Sequence, residues 1–177
     1  MEAHKVVKTN ASQRTWGIRA GVGGNAHALF IEQRLLCLSD AGLGNLLNVG
    51  DSKEAFSAAY RLLNPDETPS GSANVAGKFF RFVHEIKRGD LVIYYSLIEK
   101  LFHVGRVLGD YLFVDDSEQG FPHRRTVEWF CSFSGSGLSE PARRELGAAR
   151  TLFEVKRHSE ELRRLIGRIV PGWNSMK

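Results

Sequence analysis

Residues 78–113, KFFRFVHEIKRGDLVIYYSLIEKLFHVGRVLGDYLF, limit the possible folds more than any other stretch. Phe79, Phe82, Val83 and Ile86 recur at spacings of three, one and three, which draws a single apolar stripe along a helix. Lys87 and Arg88 suit the negative end of that helix, and Gly89 can take the left-handed conformation that ends it. Asp90 then turns the chain into Leu91–Tyr95, a β-branched and aromatic run that predicts a buried central strand. Residues 96–100 read as a hairpin connection and residues 102–108 as the returning partner.

Around this spine the remaining elements are short. Trp16, Ile18 and Ala20 alternate with Gly17 and Arg19, giving a first strand within residues 14–21, and GVGGNA after it reads as a turn. That glycine cluster lacks the Lys-Ser/Thr of a phosphate-cradling loop and does not follow the dinucleotide fingerprint. Residues 26–33 form a short helix or the start of a strand, and Leu35–Leu38 a second buried strand. Asp51 or Ser52 caps a helix over Lys53–Leu63, which ends at Asn64-Pro65-Asp66. Residues 67–73, ETPSGSA, read as a surface linker, with Ser72 or Asn74 capping the next helix. Further on, residues 111–114 continue the sheet, residues 126–133 alternate as a long strand, and Ser139 caps a short helix. Residues 151–156 make a last strand and residues 160–169 an amphipathic helix with Arg163, Arg164 and Arg168 on its wet face.

Composition bounds the function. At 177 residues and 42% hydrophobic, the chain is long enough for one well-filled core, expected over residues 14–170 between a polar leader (1–13) and a tail (171–177). The net charge of +4 permits contact with nucleic acid. Cys37 and Cys131 have no spaced partners, so neither a zinc site nor a disulfide framework is indicated, and a cytoplasmic setting is expected. No apolar run is long enough to span a bilayer, and no cofactor motif is present. The sum is a mixed α+β domain of about five or six short strands and three or four helices, its sheet curled into a partly closed barrel.

The order WGIRAG, a helix into RGDLVIYYS, then HVGRV and HRRTVEW resembles the EVE and PUA-like superfamily, which includes the YTH readers of methylated adenine. More narrowly it resembles the N-terminal recognition domains of Mrr-type and McrB-type modification-dependent restriction endonucleases. The resemblance covers residues 14–156, with Gly89-Asp90 and Tyr94-Tyr95-Ser96 standing where EVE-type domains carry a Gly-Asp turn and a YHS strand. It implies capture of a flipped, possibly modified base, DNA favoured over RNA, in restriction or phage defence, with a nuclease as a separate subunit or domain. The unstacking cost of about a few kcal/mol is matched by base-on-aromatic stacking of roughly 1–3 kcal/mol. The implied base pocket is Trp16, Tyr95 and Ser96, with Arg19, Arg124 and Arg125 clamping phosphates. Where restriction-type domains carry a tryptophan at the end of the second strand, this chain has Asp40. Either the cage is incomplete there or Asp40 accepts a hydrogen bond from an exocyclic amine.

Two other classes are compatible with the residues. An RNA-binding domain of the same fold is one. The other is a nuclease in which Glu154-Val155-Lys156 supplies the E-x-K strand of PD-(D/E)XK enzymes, with Asp110, Asp115 or Asp116 upstream. The elements already assigned leave no room for that catalytic core, so the chain itself reads as a non-enzyme.

Overall fold

The computed structural model describes residues 13–115 and 118–173. Leader residues 1–12, tail residues 174–177 and the nuclease candidate Asp116 lie outside them. The elements are β1 (Thr15–Ile18), α1 (His27–Ile31), β2 (Leu35–Leu38), α2 (Lys53–Leu63), α3 (Pro69–Phe80), β3 (Leu91–Tyr95), β4 (Phe102–Val107), β5 (Leu112–Phe113), β6 (His123–Phe133), α4 (Glu140–Leu146), β7 (Leu152–Glu154) and α5 (Ser159–Ile169). The strands form one strongly curled sheet in the order β2-β6-β4-β3-β1-β7, with β5 paired to β6 at the side. β1 runs parallel to β3 and every other pairing is antiparallel. The result is an open half-barrel, PUA-like in shape, as the strand pattern predicts.

Both faces of the sheet are covered. On the inner face Trp16, Ile18, Val92, Tyr94 and Val107 pack against Leu29 and Phe30 of α1, Phe56 of α2 and Phe79 of α3. On the outer face Leu91, Ile93, Phe102 and Val104 pack against Leu146 of α4 and Leu162 and Ile166 of α5. Alternation along β3 sends Val92 and Tyr94 to the inner core and Leu91, Ile93 and Tyr95 to the outer one. Gly17 has a steric role here: a Cβ on it would lie 2.1 Å from the Phe153 ring, so glycine leaves the room that ring occupies over β1.

Several boundaries differ from the sequence reading. The supposed linker 67–73 is the beginning of α3, because Thr68 Oγ1 accepts the Gly71 N–H and Pro69 occupies the first turn. The helix then widens into a π turn over Arg81–Glu85, closed by Ile86 N–H to Arg81 O at 3.0 Å, and Ile86 is already extended. Lys87 and Arg88 therefore follow the helix. At the termini, Gln13 belongs to the fold, since Arg163 donates to its Oε1 at 2.7 Å and its Nε2 donates to Gly89 O. Trp173 is buried in the outer core, so the domain runs past residue 170. Among the described residues no helix is long and apolar enough to cross a membrane.

Candidate nucleic-acid interface

The half-barrel leaves β7 with a strand partner on one side only. Between that open edge and α3 runs a groove of about 860 Å³. Asn74, Val75, Lys78 and Arg81 line one wall, spaced so that they share a face of α3 and its π turn, and residues 150–154 with Lys156 line the other. A hollow of about 430 Å³ adjoins at Glu85, and another of about 510 Å³ shares Arg150, Phe153, Glu154 and Lys156. Together they make a trough along the open side of the molecule.

The charges in this trough are unevenly matched. Glu85 holds Lys53 at 2.9 Å and Arg14 at 3.4 Å, while Glu154 lies 3.8 Å from Arg14 and 3.7 Å from Lys156. Among the described residues Lys78, Arg81 and Arg150 have no carboxylate within 4.0 Å, so their charges face the groove uncompensated. The Lys78 ammonium lies 4.5 Å from the Phe79 ring centroid, and burial lowers its pKa. Arg81 Nε is shielded from solvent and has no hydrogen-bond partner. Cations recessed between low-dielectric walls concentrate their field outward, which suits a polyanion.

The predicted base pocket does not assemble. The parallel register pairs Trp16 with Val92, which places Trp16 on the same side as Val92 and Tyr94 and leaves Tyr95 on the other. Trp16 is fully buried, and its indole N–H donates to Asp90 Oδ2 at 2.8 Å. Tyr95 packs on Phe102 in the outer core, with ring centroids 4.7 Å apart. Ser96 is also buried, accepting the Glu99 N–H at 3.0 Å. Trp16 is therefore a core residue anchored to the Gly-Asp turn.

Of the predicted phosphate clamps, Arg125 is corrected most sharply. It is 4% exposed and donates to Phe82 O at 2.8 Å, Val83 O at 3.0 Å and Gly109 O at 3.0 Å. The π turn leaves two of those carbonyls without a helical donor, and Arg125 fills that need. Burial lowers its pKa to about 10. Arg124 donates to Phe121 O at 2.9 Å, and Arg19 donates to Ala149 O at 3.3 Å; neither lines the trough. Of the nuclease candidates, Glu154 and Lys156 do line it, whereas Asp110 is ion-paired to Arg88 on the β4–β5 connection. Among the described residues no three His, Cys, Asp or Glu side chains are placed to hold a metal ion.

Asp40 is exposed at the end of β2, where its Oδ1 accepts the Gly42 N–H at 2.8 Å. Its neighbour is His123, the first residue of β6, which is fully buried with Nε2 4.0 Å from that oxygen. Sequence reasoning missed His123 as a site residue, and it missed the trough cations Lys53, Lys78, Arg81 and Arg150 because they come from α2, α3, the π turn and the loop before β7. One signal was available: Asn74, Lys78 and Arg81 fall on one helical face beside the apolar stripe.

Fold and site together define an α+β half-barrel domain with a basic trough along its open edge. The chain belongs to the family described as a domain of unknown function (DUF8426), whose model matches residues 32–155. The matched span includes Asp40, His123 and the trough residues from Lys53 to Glu154 but not β1 or α5. No curated protein matches the chain.

Proposed function

We propose that this domain recognises nucleic acid, laying a sugar–phosphate backbone along the trough between α3 and β7. The observation that carries this reading is the set of uncompensated cations on one groove, Lys78 and Arg81 partly buried in it and Arg150 exposed at its rim. The curled sheet and the order of the sequence motifs support the finer reading, a reader of a flipped and possibly modified base in DNA that serves restriction or phage defence alongside a separate nuclease. With Trp16 and Tyr95 on opposite faces, the base is read elsewhere than between those rings.

Fluorescence anisotropy with plain and methylated DNA and RNA oligonucleotides, single- and double-stranded, at two salt concentrations, tests the proposal. Binding should weaken steeply with salt, and the Lys78→Ala, Arg150→Ala double variant should lose affinity for every sequence alike. Its slope of log affinity against log salt should fall by about one for each phosphate contact removed. Salt-independent binding, or a double variant that binds as well as the parent, overturns the assignment of the trough.

A further inference from the structure

His123 stands between Leu38 of β2 and Phe113 of β5 in the strand register. Its ring stacks on Tyr111 at 6.0 Å and meets the edge of Phe79 at 5.4 Å. Tyr111 Oη accepts the Leu46 N–H at 3.2 Å and, 2.8 Å from His123 Nδ1, can give its own proton to that nitrogen. A neutral imidazole that accepts at Nδ1 carries its proton on Nε2. Nε2 is buried and, among the described residues, has no partner. A buried donor left open is rare in folded proteins and points to something missing from its surroundings. Asp40 Oδ1, at 4.0 Å, is beyond hydrogen-bond reach and already accepts from Gly42.

The two groups side by side offer one acceptor and one donor, the acceptor exposed and the donor recessed. The half-buried Phe113 ring, 5.7 Å from the imidazole, gives a flat ligand an apolar neighbour. Lys78 lines the trough, its ammonium lies 4.5 Å from the Phe79 ring centroid, and that ring meets His123, so a single side chain separates the trough from this pair.

We infer that Asp40 and His123 read the edge of a nucleobase that presents an exocyclic amine beside an unprotonated ring nitrogen. The amine donates to Asp40, and the ring nitrogen accepts from His123 Nε2–H. Cytosine and adenine present that edge. Uracil and thymine present a carbonyl beside an N–H, which sets oxygen against carboxylate and N–H against N–H; guanine does the same at O6 and N1, and pairs its amine with a bare ring nitrogen only at N2 and N3, where the ribose crowds N3. The inference rests on the proposed function, since the trough delivers the strand whose base is read.

The test separates the two. The full chain, labelled with ¹⁵N-histidine, is titrated with cytidine, adenosine, uridine and guanosine, none of which carries a phosphate. Cytidine or adenosine should move the His123 Nε2 resonance, the two arms telling one base from the other, and uridine and guanosine should leave it in place. Asp40→Ala, at an exposed site, should weaken that response by roughly tenfold, the scale of one well-formed pair of base contacts, while oligonucleotides still bind the trough. A resonance unmoved by any nucleoside, or moved equally by all four, overturns the inference, as does an Asp40→Ala chain that responds like the parent. Loss of oligonucleotide binding in the trough variants alone bears on the proposed function and not on this pair.

Discussion

Two histidine–carboxylate groupings lie at different places on the half-barrel. At the β3–β4 hairpin Glu99 sits between two imidazoles, 2.5 Å from His103 Nε2 and 3.7 Å from His27 Nε2, and His27 Nδ1 lies 3.0 Å from Tyr94 Oη. Rings close around this group: Tyr94 stacks on His103 at 5.7 Å, and Trp129 meets both. At the β2–β6 corner Asp40 and His123 stand 4.0 Å apart, with a buried ring nitrogen unanswered among the described residues. The same residue types thus build a closed network in one place and an open one in the other. A closed network contributes to stability and is indifferent to ligand; an open one carries a standing cost that a ligand can relieve.

The largest expected effect comes from breaking a closed network. Asp90 accepts from Trp16 Nε1, from the Lys87 N–H at 2.9 Å and from the Arg14 N–H at 3.0 Å, and it is 4% exposed. Asp90→Ala leaves these donors without an acceptor and should cost about 3–5 kcal/mol, measured by urea unfolding. Next comes the open corner, probed by pH. Burial pushes the His123 pKa down from 6.5 to about 4, so between those values the unfolded chain holds a proton that the folded chain refuses. The stability from a neutral His123 is complete above pH 6.5 and is lost as pH falls towards 4, by on the order of 3 kcal/mol. His123→Gln should flatten that part of the pH profile. The smallest effect compares the two carboxylates. Glu99→Ala should lower stability by about 1 kcal/mol. Asp40→Ala, in an exposed turn, should stay within about 0.5 kcal/mol of the parent by the same assay.

How much of this was written in the sequence depends on distance along the chain. The spine was legible because its signals are local: Leu91–Tyr95 is a strand, residues 96–100 close a hairpin, and Ser52 and Ser139 cap α2 and α4 through their side chains. The start of α3 was obscured because ETPSGSA has the composition of a loop, although Thr68-Pro69 carries a helix start within it. The side on which Trp16 falls was not legible. It depends on the β1–β3 register, which joins strands more than 70 residues apart, and one step of register changes the facing side chain. Asp40 was noticed because it stands where a ring was expected. His123 was passed over because its vacant nitrogen arises from Tyr111 and Leu46, which only the folded chain brings to it.

The π turn at the end of α3 has a mechanical consequence. Through Arg125, the main chain at Phe82 and Val83 is fastened to β6 and to the Gly109 bend, so the α3 wall of the trough cannot swing without dragging the far side of the sheet along. The opposite wall, β7, is a three-residue strand paired to β1 alone, with Leu152 and Phe153 buried in the two cores. The two walls are thus held differently, α3 by hydrogen bonds reaching across the sheet and β7 by one ladder and the packing of its side chains.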